Sequence, residues 1–232
     1  MNEGEAFHIS VMPEEVLAHL NLLPEATVVD CTAGCGGHSR LIVGRLNEQG
    51  RLIAIDRDKS SLAVARANLK EAKPRLEFVH EDFRNIDKVL TALGISQVNA
   101  MLFDLGISSF QLDNPERGFS LKSEGPLDMR MNQEDLVSAK DLINSLNERQ
   151  IDEILKEYGE ERWHKRIARH LVSRRPIETT QQLNEIILKA IPRGRAWQKI
   201  HPATRTFQAF RIAVNRELEA IEEALEKAIG FL

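Results

Sequence analysis

The sequence predicts an α/β fold in which a parallel sheet is interrupted by an inserted all-helical domain. The first observation is a β-prone run followed directly by a glycine-rich turn and a helix, in residues 27–39 (TVVDCTAGCGGHS). The second is that three apolar runs each end in an aspartate, at Asp30, Asp56 and Asp104. The third is that residues 136–192 contain helical periodicity and no strand-like run. Together these patterns predict a sheet whose carboxyl ends are lined by acids.

The elements of the sheet domain follow from local signals along the chain. Ser10 is a candidate N-cap for a first helix ending by Leu23, because Pro13 suits a first helical turn. Ser39 and Ser60 are candidate caps for the helices after the first and second strands. The apolar patterns predict, in order, strand 27–30, helix 40–46, strand 52–55, helix 60–72, strand 76–79, helix 86–93 and strand 99–103.

The second half of the chain has a different organisation. Residues 106–130 lack periodicity but contain several large apolar side chains, so we predict an ordered active-site loop. Ser138 and Asn147 are candidate N-caps of two helices, and residues 204–228 predict a single final helix with one packing stripe. We therefore expect a ligand-binding sheet domain and an inserted helical domain for substrate recognition, formed respectively by residues 1–108 with 204–232 and by residues 109–203.

The glycine turn after the first strand can present backbone N–H groups to a ligand. Gly34 and Gly36 form a G-x-G pattern, but Ser39 stands where a dinucleotide-binding turn has its third glycine. Taken alone, the turn is also compatible with a tight connection that binds nothing. Asp56, twenty residues after Gly36, occupies the position at which an acid hydrogen-bonds a ribose. Turn and acid together predict an adenosine-containing ligand, either a dinucleotide or S-adenosylmethionine.

The residues after the third strand offer a second contact to such a ligand. Glu81 and Asp82 stand where an acid can accept a hydrogen bond from an adenine amino group, and Phe83 can stack on the ring. The alternative interpretation is a loop acid beside a core phenylalanine, and for a single residue that arrangement is the commoner one. Phe83 is therefore a candidate ligand contact that the residues alone leave open.

Charge is distributed unevenly along the chain. The net charge is −4, yet residues 162–216 contain thirteen Lys and Arg and only two acids, Glu178 and Glu185. Such a segment predicts a basic surface facing a polyanion such as RNA, the alternative being a helix face that is only solvated. The candidate RNA-binding residues are Arg166, Arg169, Arg174, Arg175 and Arg205, and the basic run also includes Arg193, Arg195, Lys199 and Arg211.

Composition argues against several other classes of protein. The chain of 232 residues is 42% hydrophobic and 28% charged, which is typical of a soluble globular protein. No stretch has the apolar length of a membrane span, and residues 1–8 lack a signal-peptide core, so we expect a cytoplasmic protein. Cys31 and Cys35 both lie in the glycine turn, and without further cysteine or histidine ligands they predict neither a disulfide nor a metal site.

Several longer motifs occur in an order that resembles one protein family. They extend from about His8 to Glu226, and they are HISVMPEEVL, DCTAGCGGHSRLI, AIDRD, LFDLGISSFQLD, ERGFS, GPLDMRM, YGEERWHKRIAR and HPATRTFQAFRIAVNRELE. The chain resembles the MraW family of small-subunit ribosomal RNA cytosine-N4 methyltransferases. Cys31 departs from the family, which usually has glycine or another small residue at that position.

The resemblance implies a class I, Rossmann-like methyltransferase sheet and S-adenosylmethionine as cofactor. The implied substrate is one cytidine of the small-subunit (16S) ribosomal RNA, free or in the assembled subunit, with no metal or membrane involved. This would be an enzyme of rRNA processing and ribosome biogenesis. By motif, the cofactor contacts fall on Gly36, Gly37, His38, Asp56, Phe83, Asp104 and Gln111. We also predict that Asp104 accepts a hydrogen bond from the target amino group, which makes it the candidate catalytic residue.

The family's sequence continues beyond the last helix of this chain with further strands of the sheet. We therefore expect the chain to be part of a longer protein, with its fourth strand at an exposed sheet edge. Two other functions stay open, an NAD-dependent oxidoreductase and a non-catalytic RNA-binding ribosome-assembly factor. The missing third glycine and the basic insertion count against the first, and the three strand-end aspartates count against the second.

Overall fold

The computed structural model describes residues 10–192 and 200–232 of the chain. Two sets of residues from the sequence analysis lie outside the described residues. They are residues 1–8, which lack a signal-peptide core, and three members of the basic run, Arg193, Arg195 and Lys199.

The chain divides into two compact units. The sheet unit contains residues 10–109 and 219–232, and the helical unit contains the described residues between 110 and 218. The first boundary lies within one residue of the expected one. The second lies at Glu219 rather than at residue 204, because the helix that begins at residue 204 packs against other helices of the helical unit.

The sheet unit is built on parallel strands in the order β3-β2-β1-β4, so β4 lies at one edge. The described strands are β1 (Thr27–Asp30), β2 (Arg51–Asp56), β3 (Arg75–His80) and β4 (Ala100–Leu102). Asp30, at the end of β1, is in register with Ala54 of β2 and Leu102 of β4. The predicted α/β fold with a parallel sheet and an inserted helical region is confirmed.

The helices α1 to α4 alternate with the strands of this unit. They are α1 (Pro13–Leu20), α2 (Gly37–Val43), α3 (Lys59–Asn68) and α4 (Ile86–Ala92), the last preceded by a 3-10 turn at Phe83–Asn85. The first three begin differently from the prediction. Met12 rather than Ser10 precedes α1. Gly36, with φ of 90°, precedes α2, which therefore starts three residues before the expected position. The Asp58 carboxylate, not Ser60, caps α3 by accepting the Ser60 N–H.

Both faces of the sheet are covered, which explains the nearly continuous apolar strands. Successive residues of a strand point to opposite faces, so Val29 and Ile53 pack with Ile86 of α4 on one side. Val28 and Leu52 pack on the other side, against the buried Ile42 of α2 and Leu69, the residue that follows α3. The core thus fixes the carboxyl ends of β1 and β2 side by side.

The helical unit consists of short amphipathic helices. They are α5 (Ser109–Asp113), α6 (Ala139–Ser145), α7 (Glu148–Glu157), α8 (His164–Val172), α9 (Thr180–Ala190) and α10 (Thr204–Asn215). Ser138 and Asn147 cap α6 and α7 as predicted, each in a capping box with the residue three positions later. The prediction of one final helix over 204–228 is wrong. Arg216 adopts φ of 49° and ends α10, and α11 follows at Glu217–Ala228, before a 3-10 turn at Ile229–Phe231.

Residues 106–130, predicted to be ordered, are folded. Besides α5 they form a 3-10 turn at Pro115–Arg117, and Phe119 and Leu127 are buried. The continuation of this loop is fixed by Asn215, whose side chain accepts the Met131 N–H and donates to a nearby carbonyl, both at 2.8 Å. No helix in the described ranges combines the length and the hydropathy needed to cross a membrane.

Candidate active site

The glycine turn between β1 and α2 is fastened to the strands on both sides of β1. Toward β2, the Gly34 N–H donates to Asp56 Oδ2 at 2.7 Å, and the next ladder bond joins Ala33 N to Ile55 O at 3.0 Å. Toward β4, the Asp104 N–H donates to the Thr32 hydroxyl oxygen at 2.7 Å. The turn is therefore a rigid platform at the carboxyl rim, where ligands of open α/β sheets bind.

The two glycines predicted to contact a cofactor have different environments. Gly36 is buried with φ of 90°, and a Cβ there would lie 3.3 Å from the backbone of Ala65 in α3. Its positive φ and its packing on α3 both require a glycine, and its contact with a cofactor stays a prediction. Gly37 is exposed, and a Cβ on it would lie 2.5 Å from the Ser10 hydroxyl. Gly37 accordingly presents bare backbone at the rim, beside the segment that leads into α1.

Burial raises the pKa values of two of the three strand-end carboxyls. The pKa of Asp30 rises to about 6 because the group is fully buried, although hydrogen bonds from the Ser39 hydroxyl (2.7 Å) and the Thr32 N–H (3.2 Å) oppose the rise. The pKa of Asp56 also rises to about 6 through desolvation, against the N–H groups of Asp58 and Gly34. These two carboxyls hold the turn, and each oxygen of Asp56 keeps a lone pair for a further donor.

The third strand-end carboxyl differs because its side chain is 46% exposed. Asp104 Oδ2 lies 3.4 Å from Nε2 of His38, a nearly buried side chain in the first turn of α2. Nδ1 of His38 is buried and, in the part of the chain that the structure describes, has no hydrogen-bond partner. A buried polar atom without a partner is costly, so this imidazole is poised to bind a polar ligand group.

A cleft of about 440 Å³ opens beside this pair. Its polar groups are Glu15, His19, His38 and Asp104. The remaining wall is apolar and comes from α1 with the two residues before it and from the end of β4 with the residue after it, namely Val11, Met12, Val16, Leu20, Met101, Leu102 and Phe103. The site thus joins an apolar surface to the exposed carboxylate of Asp104.

Phe83 and Gln111 complete the set of predicted cofactor contacts. The Phe83 ring packs against the core cluster that includes Val29 and meets the Phe103 ring edge-on, with 5.7 Å between centroids. Phe83 therefore packs against the core, and its predicted stacking on an adenine ring stays a prediction. Gln111 is buried in the helical unit, and its contact with a cofactor stays a prediction.

The predicted RNA-binding arginines do not form one uniform surface. Arg166 and Arg169 are exposed on α8, whose opposite face is buried, and Arg169 lies 3.6 Å from Glu148. Arg205 is exposed and donates to the Glu160 carbonyl at 3.0 Å, and Arg174 is also exposed. Arg175 is partly buried against the Leu146 carbonyl, and desolvation lowers its pKa.

Ion pairing within the protein reduces the free positive charge of the basic run further. Arg211, a member of the basic run, pairs with Glu217 through two contacts of 2.8 and 3.0 Å. Its charge is therefore largely neutralised within the protein.

The described residues contain no cluster of His, Cys, Asp and Glu that could hold a metal ion.

Sequence reasoning missed three contacts of the site. They are the Thr32 hydroxyl bond to Asp104, the Ser39 hydroxyl bond to Asp30, and the proximity of His38 to Asp104. Ser39 was expected to cap α2, whereas its side chain is buried against the strand-end acid. A T-x-G turn after an acid-terminated strand was the available signal for Thr32, but its partner depends on the order of the strands.

Comparisons with known proteins identify the family of the chain. A model described as the MraW methylase family matches residues 5–232. A relative from Geobacter sulfurreducens, named ribosomal RNA small subunit methyltransferase H, is 50% identical over 228 residues. A relative of the same name from Clostridium botulinum (strain Kyoto / Type A2) is 46% identical over 228 residues. Both alignments cover 97% of this chain and 73% of the relative.

Proposed function

Because the chain belongs to the MraW methylase family, we propose that it uses S-adenosylmethionine to methylate small-subunit ribosomal RNA at the exocyclic N4 of a cytidine. The observation that supports this most is the 50% identity to a relative named ribosomal RNA small subunit methyltransferase H. The family match also favours methyl transfer over an NAD-dependent oxidoreductase or a non-catalytic assembly factor. The N4 position of the target comes from the sequence resemblance alone.

The carboxyl rim of the sheet unit fits S-adenosylmethionine. Gly37 offers bare backbone there, His38 has a buried nitrogen that needs a partner, and the acids Asp56 and Asp104 suit a ligand with a ribose diol and positive charge. We assign the cofactor to Gly36, Gly37, His38, Asp56, Phe83 and Asp104, with Gln111 from the helical unit. When bound, S-adenosylmethionine supplies an electrophilic methyl group.

Asp104 is the residue to which we assign the chemistry on the target base. The exocyclic nitrogen of cytosine is a weak nucleophile because its lone pair is delocalised into the ring. The exposed carboxylate of Asp104 can accept a hydrogen bond from this amino group and orient the lone pair. Positioning of this kind lowers a barrier by about 7–11 kcal/mol in the best intramolecular cases. Extruding the base from its stack costs a few kcal/mol where it is not already unpaired.

The basic segment supplies the attraction for RNA. Arg166 and Arg169 on α8 are exposed, and the surrounding segment carries few acids. Contacts from arginines to phosphates position an RNA without reading its sequence, and they release counterions that make the affinity depend on salt. We propose that the helical unit binds ribosomal RNA in this way, either free or within the small subunit.

The test is methyl transfer from tritiated S-adenosylmethionine to small ribosomal subunits and to naked 16S RNA, with the labelled nucleoside identified by mass spectrometry. We expect the chain to produce N4-methylcytidine. Asp104→Ala should lower the rate at least about 100-fold, since it removes an interaction of the reacting group. Glu71→Ala is the matched control, because Glu71 is exposed and lies between α3 and the start of β3, at the end of the sheet opposite the carboxyl rim. Near-normal turnover by Asp104→Ala would refute the assignment.

A further inference from the structure

The pairing between β1 and β4 is unusual at its carboxyl end. The register Asp30 to Leu102 continues with a bond from the Cys31 N–H to the Leu102 carbonyl at 2.9 Å. In a parallel ladder the next bond along would join the Asp104 N–H to the Cys31 carbonyl. Instead, the Asp104 N–H donates to the Thr32 side-chain oxygen at 2.7 Å. A side chain thus replaces the backbone where β4 leaves the sheet.

The same substitution of a side chain for backbone occurs at the other end of this strand pair. The Thr27 N–H, at the start of β1, donates to the side-chain oxygen of Asn99 at 2.8 Å. The Asn99 N–H in turn donates to the Thr27 carbonyl at 2.8 Å. Short β4 is therefore held at both ends by side-chain hydrogen bonds, but only the one to Thr32 lies at the ligand rim.

Thr32 is itself held in place by its neighbours. Its backbone N–H donates to Asp30 Oδ1 at 3.2 Å, and the second oxygen of that buried carboxylate accepts the Ser39 hydroxyl. Two residues later, the Gly34 N–H donates to Asp56. The hydroxyl of Thr32 therefore stands on a backbone that β1, β2 and α2 all constrain, and it transmits this rigidity to Asp104.

We propose that Thr32 is a positioning residue for Asp104, whose hydroxyl oxygen fixes the Asp104 backbone and so keeps its carboxylate at the rim beside His38. This inference rests on the proposed function for the role of Asp104, but the hydrogen bond is independent of it. β4 ends at Leu102, two residues before Asp104, so the Thr32 hydroxyl provides a restraint that the backbone ladder to β1 no longer supplies there. A reacting group displaced by about 1 Å loses on the order of 100-fold in rate.

The variants separate the hydroxyl from the shape of the side chain. Thr32→Val keeps the branched shape and removes the acceptor, Thr32→Ser keeps the acceptor, and Thr32→Ala removes both. Thr91→Val, on the exposed side of α4, is the control for the same chemical change elsewhere. Urea unfolding midpoints show which variants remain folded; where Thr32→Val does not, the Thr32→Ser and Thr32→Ala pair decides.

The first measurement is hydrogen exchange of the Asp104 amide by NMR, which needs no activity. We expect exchange to be at least about 10-fold faster in Thr32→Val than in the wild type, and unchanged in Thr32→Ser. The second is methyl-transfer kinetics. Thr32→Val should lower kcat about 10- to 100-fold with little change in KM for the cofactor, and Thr32→Ser should recover most of the loss.

A double-mutant cycle then distinguishes positioning from a general structural effect. In the Asp104→Asn background, Thr32→Val should lower kcat by less than about 2-fold. The reason is that Thr32 acts by positioning the Asp104 carboxylate, which this background lacks. An equal loss in both backgrounds, or an Asp104 amide as protected in Thr32→Val as in the wild type, overturns the inference. A wild type that transfers no methyl group contradicts the proposed function instead, while the amide exchange still decides the role of Thr32.

Discussion

At the scale of single residues, the site depends on carboxyls in unequal environments. Asp30 is buried and bonds only within the fold, Asp56 holds the turn but keeps a lone pair on each oxygen, and Asp104 is half exposed and faces the cleft. Three strand-end aspartates looked equivalent in the sequence. Their environments separate Asp30, which is structural, from Asp56, which holds the turn and can still accept a ligand donor, and from Asp104, which faces the cleft, so one rim can hold both structure and chemistry.

The raised pKa of Asp30 predicts a dependence of stability on pH. Its pKa is about 6 when folded and near 3.8 when unfolded, so the folded state binds more protons between these values. The free energy of unfolding should therefore rise as the pH falls from 7 to 5, by about 1 kcal/mol from this group.

Urea unfolding at both pH values checks this prediction, with Asp30→Asn as the comparison. The variant cannot titrate at this position, so its gain between pH 7 and 5 should be smaller than that of the wild type by the same amount. Equal gains in the two proteins would show that Asp30 titrates normally.

At the scale of elements, the sequence predicts the strand–turn–helix unit, but it does not give the full reason why the turn needs a glycine at position 36. The strand end and the turn occur where the residues indicated, and the following helix is present but begins three residues earlier than predicted. Gly36 is needed because its φ is positive and α3 packs on it, and this contact could not be foreseen before the strand order was known. The start of α2 was misplaced for a related reason, since Ser39 is bonded to the buried Asp30.

This geometry predicts the cost of a methyl group at Gly36. Gly36→Ala should lower the free energy of unfolding by about 1–3 kcal/mol, because it adds both backbone strain and a contact with Ala65. Gly94 is the matched control, since it also has a positive φ but has open space where a Cβ would lie. Chemical denaturation of both variants should show a larger loss for Gly36→Ala; equal losses would mean that packing on α3 contributes nothing.

The charged face of α8 predicts how RNA binding responds to salt. The double variant Arg166→Glu and Arg169→Glu should weaken RNA binding and reduce the slope of log K against log salt by roughly 1–2, as two phosphate contacts are lost. Arg149→Glu, on the exposed face of α7 and outside the basic segment, is the control. Filter binding to 16S RNA at several salt concentrations gives both quantities, and an unchanged slope would remove α8 from the RNA interface.

At the scale of the whole molecule, sequence patterns predict the sheet unit and the helical unit more accurately than the place, just after Arg216, where the chain passes from the helical unit back to the sheet unit. The parallel sheet, the helical insertion and the capped starts of α6 and α7 follow from local periodicity and cap residues. The break at Arg216 was missed because apolar spacing runs through it without a glycine or proline. Local signals predict where helices and strands lie. A residue in the left-handed region within a continuous apolar pattern, such as Arg216, is fixed by tertiary packing, which the pattern does not contain.

The site shows the same limit on what a sequence reveals. The rim acids were found because each ends an apolar run, and the glycines because they are adjacent. The bond between Thr32 and Asp104 joins residues 72 positions apart, and it exists only because β1 and β4 are neighbours in the sheet. The strand order alone predicts a bond from the Asp104 N–H to the Cys31 carbonyl, so the bond to the Thr32 side chain is known only from the structure.

The account depends most on the claim that this rim binds the adenosyl ligand. Calorimetric titration of S-adenosylhomocysteine into the wild type, Asp56→Ala and the control Glu71→Ala tests it directly. We predict binding to the wild type and the control with equal affinity. Asp56→Ala should bind at least about 10-fold more weakly, because a charged hydrogen-bond acceptor contributes about 1.5–3 kcal/mol. Undiminished affinity in Asp56→Ala would contradict the account and place the ligand elsewhere.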